Sequence, residues 1–392
     1  MIEAERDAQN SAHLWVESLT LTNFRNYQHA AMRVDQRPVV LLGANGAGKT
    51  NLLEAVSLLA PGQGLRRAPY PDLASVDGEG DWAVAARVHS DGLSFDIGTG
   101  QHSGTAANGR SGRIVRIDGA AQSGSGTLAE YVEMVWLTPA SDGLFTGPAS
   151  ERRRFLDRLI LCFDAGYRSR AGQFDRAMRQ RNRLLDEGAR NPAQFEGLET
   201  IMAETGVAIA AARVEVVSAL VGEMEARRQR GDDGIFPWAG IDLIGTLETE
   251  LDNRPAIDVE DAYRESLARD RDRDRGAGRT LNGPHRSDLI VHHGPKCVPA
   301  KICSTGEQKA LLISLILAHA ELSAAQSGGR GPILLLDEIA AHLDVDRRAA
   351  LFQHLLRIGT QSWMTGTDRS DFSELESRAT FFRVSDGQIG QF

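Results

Sequence analysis

The chain has 392 residues, of which 42% are hydrophobic and 25% charged, and its formal net charge is −9. At roughly 100–200 residues per domain, this length predicts two or three domains of ordinary globular composition. Three cysteines without metal-site spacing exclude a disulfide framework and a zinc site. The acidic total argues against general nucleic-acid affinity, unless positive charge is concentrated locally.

The N-terminal segment carries no export signal, because Met1 to His13 are polar and lack an apolar run. We predict that residues 1–13 are disordered. The longest apolar runs, LLISLILA and ILLL, are too short to cross a bilayer. A cytoplasmic protein with reduced cysteines and no membrane partner is therefore expected.

Apolar patterns define the predicted elements in chain order. Leu14 to Leu21 alternate as a strand does, and Pro38 to Leu42 are typical of a buried strand. A helix is predicted from Asn51 to Leu59, and short strands from Ala83 to Ile117 form a predicted β-meander. Further strands are predicted at Val135–Pro139, Pro332–Leu336, Ser362–Thr365 and Phe381–Val384, and helices at Glu151–Leu220 (about three), Asp261–Leu267, Lys309–Leu322 and Arg347–Leu356.

Two polar segments are not expected to contribute to the core. Gln101 to Gly112 are rich in Gly, Ser and Asn and contain no core-forming residues. Asp270 to Arg275 (DRDRDR) alternate in sign, which indicates a solvated face or loop.

A phosphate-binding loop is the strongest signal. Gly43 to Thr50 (GANGAGKT) match G-x-x-x-x-G-K-[ST] between a predicted strand and helix. Glycines let backbone amides turn toward phosphate, and the helix N-terminus adds positive potential. Lys49 is expected to reach the β- and γ-phosphates of ATP, and Thr50 to bind Mg²⁺. The predicted nucleotide-binding residues of this segment are Gly43, Ala44, Asn45, Gly46, Ala47, Gly48, Lys49, Thr50 and Asn51.

Two carboxylates, Asp337 and Glu338, follow the apolar run Ile333 to Leu336. In open α/β sheets, ligands bind at the carboxyl ends of parallel strands. Asp337 is the predicted Mg²⁺ partner, and Glu338 the predicted general base that activates water. With Lys49, these side chains are the predicted catalytic residues of an ATPase.

A second anion site is predicted where Cys303 to Lys309 (CSTGEQK) precede an apolar helix. Ser304 caps this helix, and Glu307 completes a capping box. The segment resembles the ATP-binding-cassette signature, which in that superfamily contacts the γ-phosphate held by another protomer. The resemblance implies an ATP-dependent homodimer in which Ser304, Gly306 and Gln308 contact nucleotide.

Three further assignments of the cassette superfamily have no single candidate residue in this sequence. The cassette superfamily has a histidine after the next strand, whereas this chain has Thr365 or Thr367 for that place. Gln63 and Gln101 are both poor candidates for the glutamine loop. His342 is interpreted as an exposed or partner-contacting loop residue rather than a catalytic one.

Arginines are also expected beside the phosphate loop. Arg25, in the turn Asn23 to Tyr27, is predicted to touch phosphate. Arg66 and Arg67 are expected near the dimer interface.

The spacing of the motifs and several further segments resemble the RecF family of bacterial recombination-mediator ATPases. Lys49 and Ser304 are about 255 residues apart, which is far for a transporter subunit, and the insertion lacks the long heptads of SMC proteins. The segments that carry the resemblance are Leu21–Tyr27, Thr50–Ala55, Glu151–Arg158, Gln180–Leu185, Leu281–Leu289, Ser304–Lys309 and Leu336–Glu338.

The resemblance implies an α/β fold: a cassette-type P-loop ATPase head with a mixed sheet, flanking helices and an antiparallel β subdomain, into which a mainly helical domain is inserted. The expected boundaries are 14–140 and 276–392 for the head and 141–275 for the insertion. It also implies an ATP-driven dimer that clamps double-stranded DNA near single-strand gaps in replication and repair, a RecR partner that helps load recombinase, and slow hydrolysis that resets the clamp. A transporter engine, an SMC-like engine and a non-hydrolysing ATP-binding scaffold are the alternatives.

One segment carries local positive charge. Glu151 to Arg183 contain ten arginines and four acids. Arginine pairs well with phosphate, although a solvated or salt-bridged helix would have the same composition. Without a base-reading motif, DNA binding should be salt-sensitive and independent of sequence. The predicted DNA-binding residues are Arg152, Arg153, Arg154, Arg158, Arg179 and Arg181.

Overall fold

The computed structural model describes residues 13–76, 78, 80–102, 112–231 and 235–392. The chain divides into two compact units, the first of residues up to 142 together with 316–392, and the second of residues 143–315. The predicted disordered tail lies outside the described residues except for His13. Most of the predicted loop from Gln101 to Gly112 also lies outside them.

Six strands of the first unit form an antiparallel sheet. They are β1 (Trp15–Phe24), β2 (Tyr27–Arg33), β4 (Trp82–Ser90), β5 (Leu93–Gln101), β6 (Ile114–Ile117) and β7 (Ala120–Ala121). Their order is β2-β1-β4-β5-β6-β7. Along β4 every second residue is buried, from Trp82 to Ser90, as expected for a sheet with one face on a core. The predicted meander is confirmed.

A second sheet of the first unit is mostly parallel. Its strands are β3 (Val39–Leu42), β8 (Met134–Leu137), β12 (Ile333–Leu336), β13 (Ser362–Gly366), β14 (Thr380–Ser385) and β15 (Gln388–Gln391), in the order β15-β14-β3-β13-β12-β8. Only β15 among these strands runs antiparallel, and it was not predicted. Every residue of β3, β8 and β12 is buried, which explains their continuous apolar runs.

Three helices accompany this sheet. They are α1 (Lys49–Ser57), α8 (Thr305–Gln326) and α9 (Val345–Ile358), and α8 begins in the second unit. Helix α9 is capped by Asp344, whose carboxylate accepts from the Arg347 amide at 2.8 Å. The predicted helices at these places are confirmed.

The second unit is mainly helical. It contains α2 (Ala149–Ile160), α3 (Tyr167–Asp186), α4 (Ala193–Gln229), α5 (Thr246–Leu251), α6 (Ala256–Arg269) and α7 (Arg271–Ala277), and an antiparallel sheet of β9 (Ala239–Ile244), β10 (Asp288–His293) and β11 (Val298–Pro299). This unit extends past the expected boundary at 275, because β10 pairs with β9 along its whole length. Through that pairing, residues 288–293 belong to the second unit and not to the head.

The DRDRDR segment is helical. Residues Arg271–Ala277 form helix α7, which agrees with the predicted solvated face and not with the alternative of a loop. Asp274 is only 2% exposed and accepts from the Leu281 amide at 3.0 Å. The alternating charges therefore divide between a solvent-facing side and a buried side.

Helix α4 is long and apolar enough, by length and composition alone, to cross a membrane. Half of its most apolar stretch is buried inside the structure. Glu199, Arg213 and Arg227 are also buried along α4, at 2%, 4% and 4% exposure. Charged side chains are buried in a folded protein only where neighbouring groups pair with them. We therefore interpret α4 as the core helix of the second unit and not as a membrane span.

Candidate nucleotide site

Sheet topology brings the phosphate loop to the carboxylate pair. β3 ends at Leu42 and β12 at Leu336, and β13 lies between them, parallel to both. The Gly43 amide donates to the Gly366 carbonyl at 3.3 Å, where β13 ends. Two motifs that are far apart in the sequence therefore lie at the same edge of the sheet, where ligands of such sheets bind.

Glycines in the loop meet conformational and spatial demands. Gly46 and Gly48 have φ of 84° and 110°, a region that side chains disfavour. A Cβ on Gly48 would lie 2.5 Å from Asn26 Nδ2, and one on Gly43 would lie 2.2 Å from the Val384 carbonyl oxygen. The loop consequently places the start of α1 at Lys49, with the helix N-terminus facing the loop interior.

Lys49 folds over its own loop. Its Nζ donates to the carbonyls of Gly43 at 2.7 Å and Ala44 at 2.9 Å. Burial lowers the pKa of Lys49, and the nearby Glu338 and Asp337 carboxylates partly oppose that shift. A buried cation with flexible donors is the group that a triphosphate requires at this position.

Asp337 is held by two threonine hydroxyls. Thr50 Oγ1 donates to Asp337 Oδ1 at 3.0 Å, and Thr365 Oγ1 donates to the same oxygen at 2.8 Å. Burial raises the pKa of Asp337 and the Glu338 charge adds to this effect, whereas the Thr365 and Thr50 hydrogen bonds lower it. The predicted pairing of phosphate loop and carboxylate strand is present in the geometry.

These groups fit a magnesium ion. A hydroxyl and a carboxylate are hard oxygen donors, and Mg²⁺ in nucleotide sites uses few protein ligands beside phosphate and water. Within the part of the chain that the structure describes, no group of three or more His, Cys, Asp or Glu side chains could hold a metal ion by itself. Thr50 and Asp337 are therefore suited to a metal that arrives with nucleotide.

Glu338 follows β12 in a left-handed conformation, with φ 52° and ψ 32°. Its amide donates to Thr365 Oγ1 at 2.7 Å. The residue is half-buried, between the buried strand and the 3₁₀ turn Ile339–His342. Such a partly exposed carboxylate at the sheet edge can reach a water molecule, as a general base must.

The turn after β1 supports the loop from outside. Asn26 Nδ2 donates to the Ala47 carbonyl at 3.3 Å. Asn26 Oδ1 accepts a hydrogen bond from Asn51 Nδ2 at 2.7 Å. Tyr27 donates to the Gly48 carbonyl at 3.0 Å, and burial raises its pKa. This turn therefore fixes the loop backbone.

Arg25 pairs with a buried acid of α1, and its predicted phosphate contact stays a prediction. Its guanidinium makes a bidentate pair with Glu54, both bonds at 2.9 Å, and donates to the Asp72 carbonyl at 2.8 Å. Glu54 is fully buried on α1 and also pairs with Arg66 at 3.3 Å. Because a buried carboxylate requires charge compensation, Arg25 and Arg66 together neutralise Glu54. The sequence signal that could have revealed this pairing is Glu54 itself, an acid in an otherwise apolar helix face.

The signature segment forms the predicted capping box in the second unit. Ser304 donates from its amide and its hydroxyl to Glu307 Oε2, each at 2.9 Å. Lys296 pairs with Glu307, and this ion pair together with the Ser304 bonds lowers the pKa of Glu307 to about 2. Gln308 is buried and donates to the Cys303 carbonyl at 2.9 Å. Ser304 itself is exposed, at the N-terminus of the 22-residue helix α8.

The remaining alternatives divide by burial. Thr365 is buried, and its hydroxyl is engaged by the two acidic residues, whereas Thr367 is exposed. Gln101 is buried at the end of β5, and Gln63 is exposed. The side chain of His342 lies outside the described part of the chain. The glutamine-loop and histidine-replacement assignments stay predictions.

The predicted DNA-binding arginines separate into two groups. Arg181 is fully buried and pairs with Glu199 at 3.1 Å and Asp274 at 2.7 Å, so its assignment to DNA was wrong. Arg152 pairs with Asp288 through two bonds of 2.8 Å, and Arg153 donates to the Ser287 carbonyl at 2.6 Å. These contacts hold the loop before β10 onto α2.

Arg154, Arg158 and Arg179 complete the predicted set. Arg154 is 47% exposed beside Glu151, and Arg179 is exposed on α3. Arg158 is half-buried, with its guanidinium carbon 5.6 Å from the centre of the Phe155 ring. Arg154 and Arg179 are therefore the members of the predicted set that a ligand can reach most freely.

Taken with the site geometry, the mixed sheet defines an ATPase head of the SMC and ABC type. The sequence profile of the RecF/RecN/SMC N-terminal domain family matches residues 15–388. The chain is 55% identical over 381 residues to the DNA replication and repair protein RecF of Mesorhizobium japonicum, covering 97% of this chain and 98% of that protein. It is 51% identical to the protein of the same name from Rhizobium johnstonii, over 95% of this chain and 97% of that one. The chain belongs to the RecF family.

Solved structures show the same fold. The recombination mediator protein RecF with ATPrS, of the RecFOR pathway, superposes with a TM-score of 0.83 at 22% identity, covering 97% of this chain and 99% of that one. The Smc head domain of Pyrococcus furiosus, bound to the C-terminal domain of ScpA, gives a TM-score of 0.54 at 14% identity, over 97% and 96%.

Proposed function

We propose that this chain binds and hydrolyses ATP in DNA replication and recombinational repair, as a cytoplasmic homodimer that clamps double-stranded DNA near single-strand gaps and works with RecR in loading recombinase. The hydrogen bond between Thr50 and Asp337 carries the proposal, because it joins the phosphate loop to a carboxylate strand 287 residues away. The name of the 55% identical relative, a DNA replication and repair protein, supports the pathway. A solved RecF–ATP structure of the RecFOR pathway, which shares this fold, supports the nucleotide and the RecR partner.

The proposed chemistry follows from the protein groups. The loop amides and Lys49 bind the β- and γ-phosphates of ATP and neutralise their charge. Thr50 and Asp337 would hold Mg²⁺, which would supply Lewis-acid stabilisation of the charge on the phosphates. Glu338 orients the attacking water and accepts its proton. Hydrolysis then removes the phosphate that joins two protomers and releases the clamp.

The exposed position of Ser304 supports the proposed dimer. Ser304 lies at the N-terminus of the long helix α8, where a helix can bind an anion. We expect Ser304→Arg to retain ATP binding and to abolish ATP-dependent dimers, because a bulky cation replaces a small donor. Sedimentation velocity with and without ATP measures this, and persistence of ATP-dependent dimers in the variant would contradict the assignment.

For DNA, the structure directs attention to the solvent face of α3. At 100° per residue, Arg168, Arg176 and Arg179 fall within about 80° of each other, opposite the buried side of the helix. Asp175 and Asp186 on the same helix reduce the local charge. We therefore propose that this face contacts three phosphates of the DNA backbone, instead of a contact through the buried Arg181.

Fluorescence anisotropy with duplex DNA, with and without ATP at several salt concentrations, tests both the clamp and the face. The triple variant Arg168→Gln, Arg176→Gln, Arg179→Gln removes up to three phosphate contacts. At roughly 0.9 per contact, the plot of the log association constant against log salt should become less steep by up to about 2.7. A matched control, Arg254→Gln, Arg264→Gln, Arg269→Gln, removes the same charge from exposed positions of α6 and its approach. Wild-type protein without ATP-dependent, salt-sensitive binding would refute the clamp, whereas equal slopes for both triples would refute only the α3 face.

A further inference from the structure

Thr365 lies at the centre of the nucleotide-site sheet. It is on β13, between β3 and β12, and pairs with Leu41 of β3 while the preceding Met364 pairs with Leu336 of β12. Its side chain is completely buried. Thr365 therefore sits one residue from the end of β13, between the strand that leads into the phosphate loop and the strand that leads into the carboxylates.

The Thr365 hydroxyl makes hydrogen bonds to both acidic neighbours. It donates its single proton to Asp337 Oδ1 at 2.8 Å and accepts the Glu338 amide hydrogen at 2.7 Å. Because Thr50 also donates to Asp337 Oδ1, this oxygen is committed to the two threonines. Thr365 thus joins both carboxylate residues through one atom, and through Asp337 it is linked to the phosphate loop.

Glu338 depends on this contact for its backbone conformation. A φ of 52° is uncommon for a residue with a side chain, and such strain persists only where neighbouring groups hold it. The Glu338 amide leaves the strand ladder at this point, and Thr365 Oγ1 is its acceptor. The direction in which the Glu338 side chain leaves the backbone consequently follows from the position of the Thr365 hydroxyl.

We propose that Thr365 is a positioning residue of the hydrolysis site, which holds Glu338 and Asp337 in register with the phosphate loop. This role rests on the proposed ATPase function. Thr365 is not suited to contact the γ-phosphate, because its only hydroxyl proton is already donated to Asp337 and its side chain is buried. Of the two threonines left open by the sequence, Thr367 is the exposed one and stays available for a phosphate.

Two substitutions separate the hydroxyl from the shape of the side chain. Thr365→Val keeps the volume and removes the hydrogen bonds, whereas Thr365→Ser keeps the hydroxyl. We expect Thr365→Val to lower kcat for ATP hydrolysis by about 10–100-fold, the range typical for partners of metal-site ligands, with little change in ATP affinity measured without Mg²⁺. Thr365→Ser should retain most of the activity.

A matched control comes from the segment that leads into the same strand. Thr360 is also buried, at 3% exposure, and its hydroxyl donates to the Pro332 carbonyl just before β12. Thr360→Val therefore removes a buried threonine hydrogen bond between the residues that precede β13 and β12, away from the carboxylates. It should leave kcat unchanged, even where it lowers thermal stability.

Hydrogen exchange in nucleotide-free protein gives a readout that does not depend on catalysis. The Glu338 amide should exchange faster in Thr365→Val than in wild type, Thr365→Ser or Thr360→Val. Unchanged exchange and kcat in Thr365→Val, or equal losses in the Val and Ser variants, would overturn the proposal. If the wild-type protein does not hydrolyse ATP, the proposed function fails, and exchange at Glu338 still decides whether Thr365 holds this residue.

Discussion

Replacing Glu338 with glutamine is expected to slow ATP hydrolysis by about 10²–10⁴-fold while ATP binding is retained. Glutamine has the same shape, and its backbone amide can keep the hydrogen bond to Thr365 Oγ1. Its side chain cannot accept the proton of the attacking water. Since the phosphate that joins the protomers then persists, ATP-dependent dimers should accumulate. Release of inorganic phosphate measures the first effect, and sedimentation velocity measures the second.

An exposed acid of the same unit provides the control for this substitution. Glu374 lies on the surface in the turn Arg369–Leu375, so Glu374→Gln removes the same charge without approaching the site. Its turnover should equal that of wild type. Undiminished hydrolysis in Glu338→Gln would refute the role of Glu338 as the base and would direct attention to other groups at the sheet edge.

Replacing Arg181 with methionine is expected to lower the free energy of unfolding by about 3–5 kcal/mol, the cost of leaving a buried charge without its partner. Arg181 is fully buried and pairs with Glu199 and Asp274, which are themselves 2% exposed. Its guanidinium also donates to Thr280 Oγ1 at 2.9 Å and to the Leu267 carbonyl at 2.7 Å. Methionine fills much of the space and satisfies none of these acceptors.

Arg179 is the matched control for this loss of stability. It lies two residues earlier on α3 but is exposed, so Arg179→Gln should change the free energy of unfolding by at most about 0.5 kcal/mol. Urea unfolding followed by circular dichroism compares the two variants. Equal stability of Arg181→Met and wild type would show that the acids find other partners, of which Arg271 beside Glu199 is the nearest candidate.

The sequence was sufficient for the phosphate loop, the carboxylate pair and the capping box, because each depends on residues that are close along the chain. Gly48 and Lys49 follow a buried strand directly, and Ser304 and Glu307 are three residues apart. Period and spacing encode such local arrangements. Most strands and helices were predictable for the same reason, as β4 and α9 show.

The failures concern partners that are distant in sequence. Arg181 shares its helix with exposed arginines, and only its contacts with Glu199 and Asp274, 18 and 93 residues away, distinguish it. Asp274 is buried, although the alternating charges around it indicated a solvated face or loop. The pairing of Arg25 with the buried Glu54 was not predicted either. Burial of a charge is a tertiary property that composition does not contain.

The position of β13 between β3 and β12 has a consequence for synthesis of the protein. Thr50 emerges from the ribosome long before Asp337, 287 residues later, which at about 5–20 residues per second is a delay of roughly 14–57 s. During that time β3 lacks both of its parallel neighbours, β13 and β14, and presents a fully apolar strand with open edges. We expect the nascent chain to depend on chaperones over this interval, and a prematurely terminated chain to lack the nucleotide site altogether.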